Sequence, residues 1–167
     1  MFEKGHISGN PDKDYPEAIR QLAALLEGET NAIANLSNAS ALLNEYMDRI
    51  NWVGFYLYEE VTNQLVLGPF QGLPACVRIP LGRGVCGTAA GERRTIVVED
   101  VHQFPGHIAC DAASRSEIVI PLTLDGQLLG VLDIDSPEVS RFSEVDRTYL
   151  EQFIAELLQH LGELKRS

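Results

Sequence analysis

No stretch of this chain approaches the roughly 20 consecutive apolar residues of a membrane span. Its first residues, MFEKGHISGNPDKDYP, hold neither an apolar run nor a small-residue cleavage pattern. Neither an anchor nor a secretory leader is expected, and the expected compartment is the cytoplasm, which keeps thiols reduced. Basic residues are scarce, 13 Lys and Arg against 24 Asp and Glu, for a formal net charge of −11. A surface of that sign repels phosphate backbones and anionic lipid. Nucleic acid and membrane are therefore excluded as partners, while a cationic or zwitterionic small ligand is not. Cysteine is limited to Cys76, Cys86 and Cys110, with no C-x-x-C pair. The spacings, ten and twenty-four residues, match no common zinc pattern even with His102 or His107 as a fourth ligand, so no metal and no cofactor is expected. Repeats and low-complexity tracts are also absent.

What is present is enough apolar residue, 45% of 167, to build one core. Residues 1–14 read as a polar arm and 15–167 as a single domain. Pro16 is expected to open a helix carrying Ile19, Leu22, Leu25 and Leu26, with a turn at Gly28. A second helical stretch carries Ile33, Leu36, Leu42, Leu43, Tyr46, Met47 and Ile50. The period then changes to two. In WVGFYLY, Val53, Phe55 and Leu57 face one way, and Trp52, Gly54, Tyr56 and Tyr58 the other. A turn near Thr62-Asn63 leads to a partner strand, QLVLGPF. VCGTAAGE suits a short helix and TIVVEDV a strand. HQFPGHIACDAASRS is a long loop, a feature that in compact domains tends to be functional. EIVIPLTL and QLLGVLDID flank Asp125-Gly126 as a hairpin. A last helix opens at Ser143, with Asp146 three residues on as its capping partner. The fold class is α+β: an antiparallel sheet with the terminal helices on one face and a ligand pocket with loops on the other.

The strand VLDIDS, residues 131–136, interrupts an apolar run with Asp133 and Asp135, which point to the same side. A two-residue hairpin loop would mix acids and large aliphatics on both faces. A three-residue loop, Leu124 to Gly126, separates them, and we adopt it. It sets Ile118, Ile120, Leu122, Leu128, Leu132 and Ile134 on one face. Glu117, Val119, Thr123, Leu129, Val131, Asp133 and Asp135 take the other, with Glu117 across from Asp133. Three acids on one face of an apolar hairpin are unfavourable without a cation or a shared proton. They suit an ammonium group or metal, or an acid kept protonated for chemistry. Gly54, between Trp52 and Tyr56, is read as room for a ligand beside an aromatic wall. Cys86 suits a small buried residue; Cys110, on a polar loop, suits thiol redox chemistry with a second mobile cysteine.

The segments NWVGFYLY, QGLPACVRIPLGRGVCG, HIACDAASRSEIVIPL and GVLDIDSP together resemble the free methionine-(R)-sulfoxide reductases, single-domain GAF-fold enzymes. The resemblance implies a GAF-like domain acting on free L-methionine (R)-sulfoxide. It implies Cys110 as nucleophile, Cys76 as the resolving thiol that forms a disulfide with it, and thioredoxin as reductant. For Cys86 it leaves a nucleophilic or second resolving role open. Trp52 and Tyr56 would hold the substrate's methyl end. Glu117, Asp133 and Asp135 would bind its ammonium and protonate the sulfoxide oxygen, Glu117 and Asp135 serving catalysis as well. The amphipathic terminal helices suit either covering the sheet or pairing two subunits, and the resemblance allows a homodimer. The other function class compatible with the fold is a non-catalytic GAF-type sensor or small-molecule binding module.

Overall fold

The computed structural model describes residues 2–108 and 112–167. The order is α1 (Pro11–Leu26), α2 (Ala32–Tyr46), β1 (Trp52–Glu59), β2 (Gln64–Gly72), β3 (Arg78–Pro80), α3 (Gly84–Glu92), β4 (Ile96–Val98), β5 (Ser116–Leu124), β6 (Gln127–Ser136) and α4 (Glu144–Leu158). A single 3₁₀ turn, Val101–Gln103, opens the long loop before β5. The strands form one antiparallel sheet in the order β3-β2-β1-β6-β5-β4. The α+β arrangement is therefore as expected. Among the described residues no helix is long and apolar enough to cross a membrane.

The first helix starts five residues before Pro16. Asn10 caps it by accepting from the Asp12 N–H at 3.0 Å, and Pro11 takes the first helical position. Asp14 accepts from the Ser8 and Gly9 N–H groups at 2.8 and 2.9 Å, so the chain ahead of the helix folds back on it. The polar stretch PDKD reads as a loose arm because nothing in its composition separates capping groups from solvated ones. At the other end of the chain the expected signal is met: Ser143 and Asp146 form a reciprocal capping box that opens α4.

Helices α1, α2 and α4 bury their apolar stripes against one sheet face. Leu22, Leu36, Leu43, Phe153 and Leu157 meet Val53, Phe55, Ile118, Ile120, Leu132 and Ile134 there. Tyr15 ties α1 to α4: its ring stacks on Tyr149, 5.2 Å between centroids, and its hydroxyl donates to Asp146 Oδ1 at 2.6 Å. Helix α3 covers the other face, setting Val85, Cys86, Ala89 and Ala90 against Trp52, Tyr56, Val119 and Val131. Its composition of small residues is what allows this. A β-carbon on Gly87 would stand 2.5 Å from the Pro80 carbonyl oxygen, so a larger residue would push the helix off the sheet.

The β5–β6 hairpin corrects the expected register. Leu124 pairs with Gln127, so the loop is the two residues Asp125-Gly126, and the extra residue is a bulge in β6 between the Leu122↔Gly130 and Thr123↔Leu128 pairs. Glu117 consequently lies across from Asp135 and not Asp133, whose partner is Val119. The acids still share one face, because the true register differs from the expected one by two residues, which preserves the side-chain alternation. The bulge exchanges the two leucines beside it: Leu129 joins the helix-side core and Leu128 the opposite cluster.

Candidate active site

The middle of the sheet places the polar groups. Trp52 on β1, Asp135 on β6 and Glu117 on β5 stand in one row across three adjacent strands, and Gly54, Asp133 and Val119 in the next. Two rows two residues apart point the same way, so these side chains rise toward α3. Trp52, Tyr56, Cys86, Glu117, Asp133 and Asp135 line one narrow cavity of about 50 Å³. Arg83, Gly84 and Val85 at the start of α3, the Leu73–Ala75 segment, and His107, Ile108 and Ser114 of the long loop close it. Cys110 lies outside the described residues.

The acids here are buried and crowded. Glu117 and Asp133 are each 6% exposed. Burial raises the Glu117 pKa well above the carboxylate range, and the negative charges of Asp133 and Asp135, to which it hydrogen-bonds, raise it further. Burial also raises Asp133, partly offset by the hydrogen bonds it accepts from Glu117 and Cys86. Of the two, Glu117 is the group pushed furthest toward its protonated form. Cys86 is a free, buried thiol whose Sγ donates to Glu117 Oε2 at 3.9 Å. Burial first, and then Asp133 and Glu117, push its pKa well up, so it stands as S–H and not as a thiolate nucleophile. Asp133 Oδ1 is buried with no hydrogen-bond partner among the described residues. Such an orphaned acceptor is costly unless something arrives to meet it.

The aromatic side is built around Trp52. The Trp52 ring stacks on Tyr56, at 5.9 Å and 25°, and on Phe70, at 5.1 Å and 17°. Their polar handles reach into the β2–β3 connection: Trp52 Nε1 donates to the Leu73 carbonyl at 3.1 Å and the Tyr56 hydroxyl to the Cys76 carbonyl at 2.9 Å. Cys76, half-buried and disulfide-bonded, is thereby tied to the wall of the cavity. Gly54 does not make room for a ligand. A β-carbon there would stand 2.2 Å from Phe70 Cβ, so the space belongs to the neighbouring strand, which brings Phe70 under the indole.

Six residues singled out from the sequence, Trp52, Tyr56, Cys86, Glu117, Asp133 and Asp135, are thus brought together. Arg83, Ser114 and the Leu73–Ala75 segment were not anticipated. Arg83 and Ser114 sit in Gly- and Ser-rich contexts that resemble ordinary turns, and Leu73–Ala75 is recruited by hydrogen bonds from residues some twenty positions away. His107 was weighed only as a metal ligand; it lines the cavity, and its pKa is lowered, chiefly by burial and then by His102. A roomier recess of about 400 Å³ on the helical side is lined by Asp14, Tyr15, Asp48, Arg141 and Asp146. Those groups already satisfy one another or the chain ahead of α1, with Arg141 bridging Asp48 and Asp146 at 3.2 Å to each. In the cavity under α3, by contrast, the carboxylate oxygen Oδ1 of Asp133 is left unmet among the described residues.

The GAF domain profile matches residues 36–161. Protein YtsP of Bacillus subtilis is 56% identical over 98% of this chain and 100% of its own. The free methionine-R-sulfoxide reductase of Escherichia coli is 55% identical over 89% of this chain and 88% of its own. Among solved structures, the free methionine-R-sulfoxide reductase of Neisseria meningitidis in complex with its substrate superimposes with a TM-score of 0.90 at 45% identity, covering 98% of this chain and 97% of that one. Similarity of this extent, over nearly the whole length and through every segment that builds the cavity, means that the chain belongs to the family of GAF-domain free methionine-R-sulfoxide reductases.

Proposed function

We propose that this protein reduces free L-methionine (R)-sulfoxide to L-methionine in the cavity under α3. The observation that carries the reading is the cage itself. An indole and a phenol form one wall, three carboxyl groups the other, and Cys76 is tethered beside them by the Tyr56 hydroxyl. A sulfoxide amino acid has a matching set of parts: a methyl group for the aromatic wall, an ammonium for ionised aspartates, and an oxygen that leaves only if protonated. The opening turn of α3 and Arg83 line the same cavity, and a helix N-terminus beside a cation attracts a carboxylate.

In this mechanism the Cys110 thiolate attacks the sulfoxide sulfur while Glu117, the proton carrier of the cluster, protonates the sulfoxide oxygen. The S–O bond breaks, the oxygen passes to Cys110 as a sulfenic acid, and methionine is released. Cys76 attacks that sulfenic acid, expels water and forms the Cys76–Cys110 disulfide. Two thiols of thioredoxin then reduce it by exchange, becoming a disulfide themselves. Support for this pairing is that Cys76 is the disulfide-bonded cysteine of the two described, while Cys86 is free. Asp133 and Asp135 bind the ammonium, and Asp133 Oδ1 is the unmet acceptor for it. Cys86 is assigned neither nucleophilic nor resolving work; its protonated thiol holds Glu117 in place.

The test is thioredoxin-coupled NADPH oxidation with each epimer of the free sulfoxide. Turnover with the R epimer alone is expected, and no turnover with it by freshly reduced protein would refute the assignment.

A further inference from the structure

The cage holds a third donor type, a thiol, to which the proposed reduction gives neither attack nor resolution. Cys86 Sγ, one carboxylate oxygen of Glu117 and one of Asp133 all lie within 4.8 Å of one another, and all three residues are buried. They come from three elements, α3, β5 and β6, so their meeting is a product of the tertiary structure. The cluster also carries a second mark of a missing ligand: Asp133, 94% buried, leaves Oδ1 without a hydrogen-bond partner among the described residues, an acceptor that a metal ion and the substrate ammonium would compete for. We propose that Cys86, Glu117 and Asp133 form a binding site for a borderline-soft divalent cation of the zinc class.

Geometry and donor chemistry both favour that class. With metal–sulfur and metal–oxygen distances of about 2.3 and 2.1 Å, tetrahedral ligand atoms stand roughly 3.4–3.6 Å apart. The Cys86–Glu117 separation is 3.9 Å, so closure by a few tenths of an ångström completes that edge. One thiolate with two carboxylates selects zinc-class ions over magnesium or calcium, which prefer an all-oxygen shell of six or more ligands. On binding, the Cys86 thiol and the protonated carboxyl group give up their protons to solvent. The three protein donors leave a fourth position for water. Because the cage is also the proposed seat of the substrate ammonium, the ion would occupy it in competition. The inference rests on the cage geometry and not on the reductase reading, and its readout is spectroscopic, so failure of one is told apart from failure of the other.

The probe is Co²⁺ alone, titrated into the full-length Cys76→Ser/Cys110→Ser protein, which keeps Cys86 as its sole thiol. One equivalent is expected to produce a near-ultraviolet thiolate-to-cobalt charge-transfer band with the intense visible bands of a four-coordinate ion. Zn²⁺ should bleach both, since it binds such sites more tightly than Co²⁺. Adding Cys86→Ser should remove the charge-transfer band. Asp133→Asn, which keeps the thiol and serves if the serine variant fails to fold, should weaken Co²⁺ binding by about tenfold or more. Absence of the band in the parent protein, its persistence without Cys86, or unchanged affinity in Asp133→Asn would each overturn the proposal.

Discussion

Burial and two flanking aspartates raise the pKa of the Glu117 carboxyl, and that shift links stability to chemistry. Its carboxyl pKa is raised in the folded protein, so between the ordinary carboxylate range and the folded value the native state binds more protons than the unfolded one. Stability must then fall as pH rises through that window. Glu117→Gln cannot ionise and loses its share of the slope. Thermal melting at pH 5 and pH 8 should show the variant gaining on wild type as pH rises; a gap moving the other way would mean that Glu117 is ionised in the fold. The thiols divide by surroundings. Cys86 is held as a buried S–H, whereas the proposed attack and resolution fall to Cys110 and Cys76. Cys110→Ser should abolish turnover, and Cys76→Ser should release about one methionine per subunit and then stop, as read by product quantified in single-turnover and multiple-turnover assays. Residue types were legible from the sequence: two aspartates at i and i+2 on an apolar strand have no bland burial. Protonation was not, because it depends on Glu117 arriving from another strand.

At the scale of the element, the sheet is held together by places where two backbones approach more closely than a side chain allows. Gly54 on β1 yields its space to Phe70 on β2, and a β-carbon on Gly130 of β6 would stand 2.1 Å from the Tyr56 carbonyl oxygen. Gly54→Ala is therefore expected to destabilise the protein by about 3 kcal/mol and to loosen the Trp52–Phe70 stack. Denaturant unfolding followed by the fluorescence of Trp52, the chain's single tryptophan, reads both effects in one experiment. Unaltered stability would mean that β2 can shift without loss. Helix α4 was legible to its capping box because Ser143 and Asp146 are local partners. The bulge in β6 was not. Leu128 and Leu129 are chemically identical, so no pattern says which faces the helices; the pairing of β6 with both β1 and β5 decides it.

The whole molecule makes a one-sided machine: three helices seal the aliphatic face of the sheet, and the short α3 and the long loop enclose the acidic one. Enclosure is what would make the enzyme select a free amino acid. A peptide-bound residue has no ammonium to meet Asp133 and Asp135, and leaving buried carboxylates unpaired costs several kcal/mol or more. N-acetyl-methionine (R)-sulfoxide should accordingly support less than about one hundredth of the rate seen with the free amino acid. This is measurable in the same coupled assay, and comparable rates would show that the ammonium is not read.

The sequence alone determined the element types, the α+β class and the chemical cast of the site, because hydrophobic periodicity, helix caps and strand alternation act between near neighbours. It also marked the acid-bearing face correctly, since alternation survives any shift of two residues. Only the tertiary structure decided that Glu117 faces Asp135, that Phe70 and not a ligand fills the notch at Gly54, and that Tyr56 anchors Cys76. Those outcomes depend on contacts between residues sixteen to twenty positions apart, and their geometry is set by how strands and α3 pack, which no local pattern encodes.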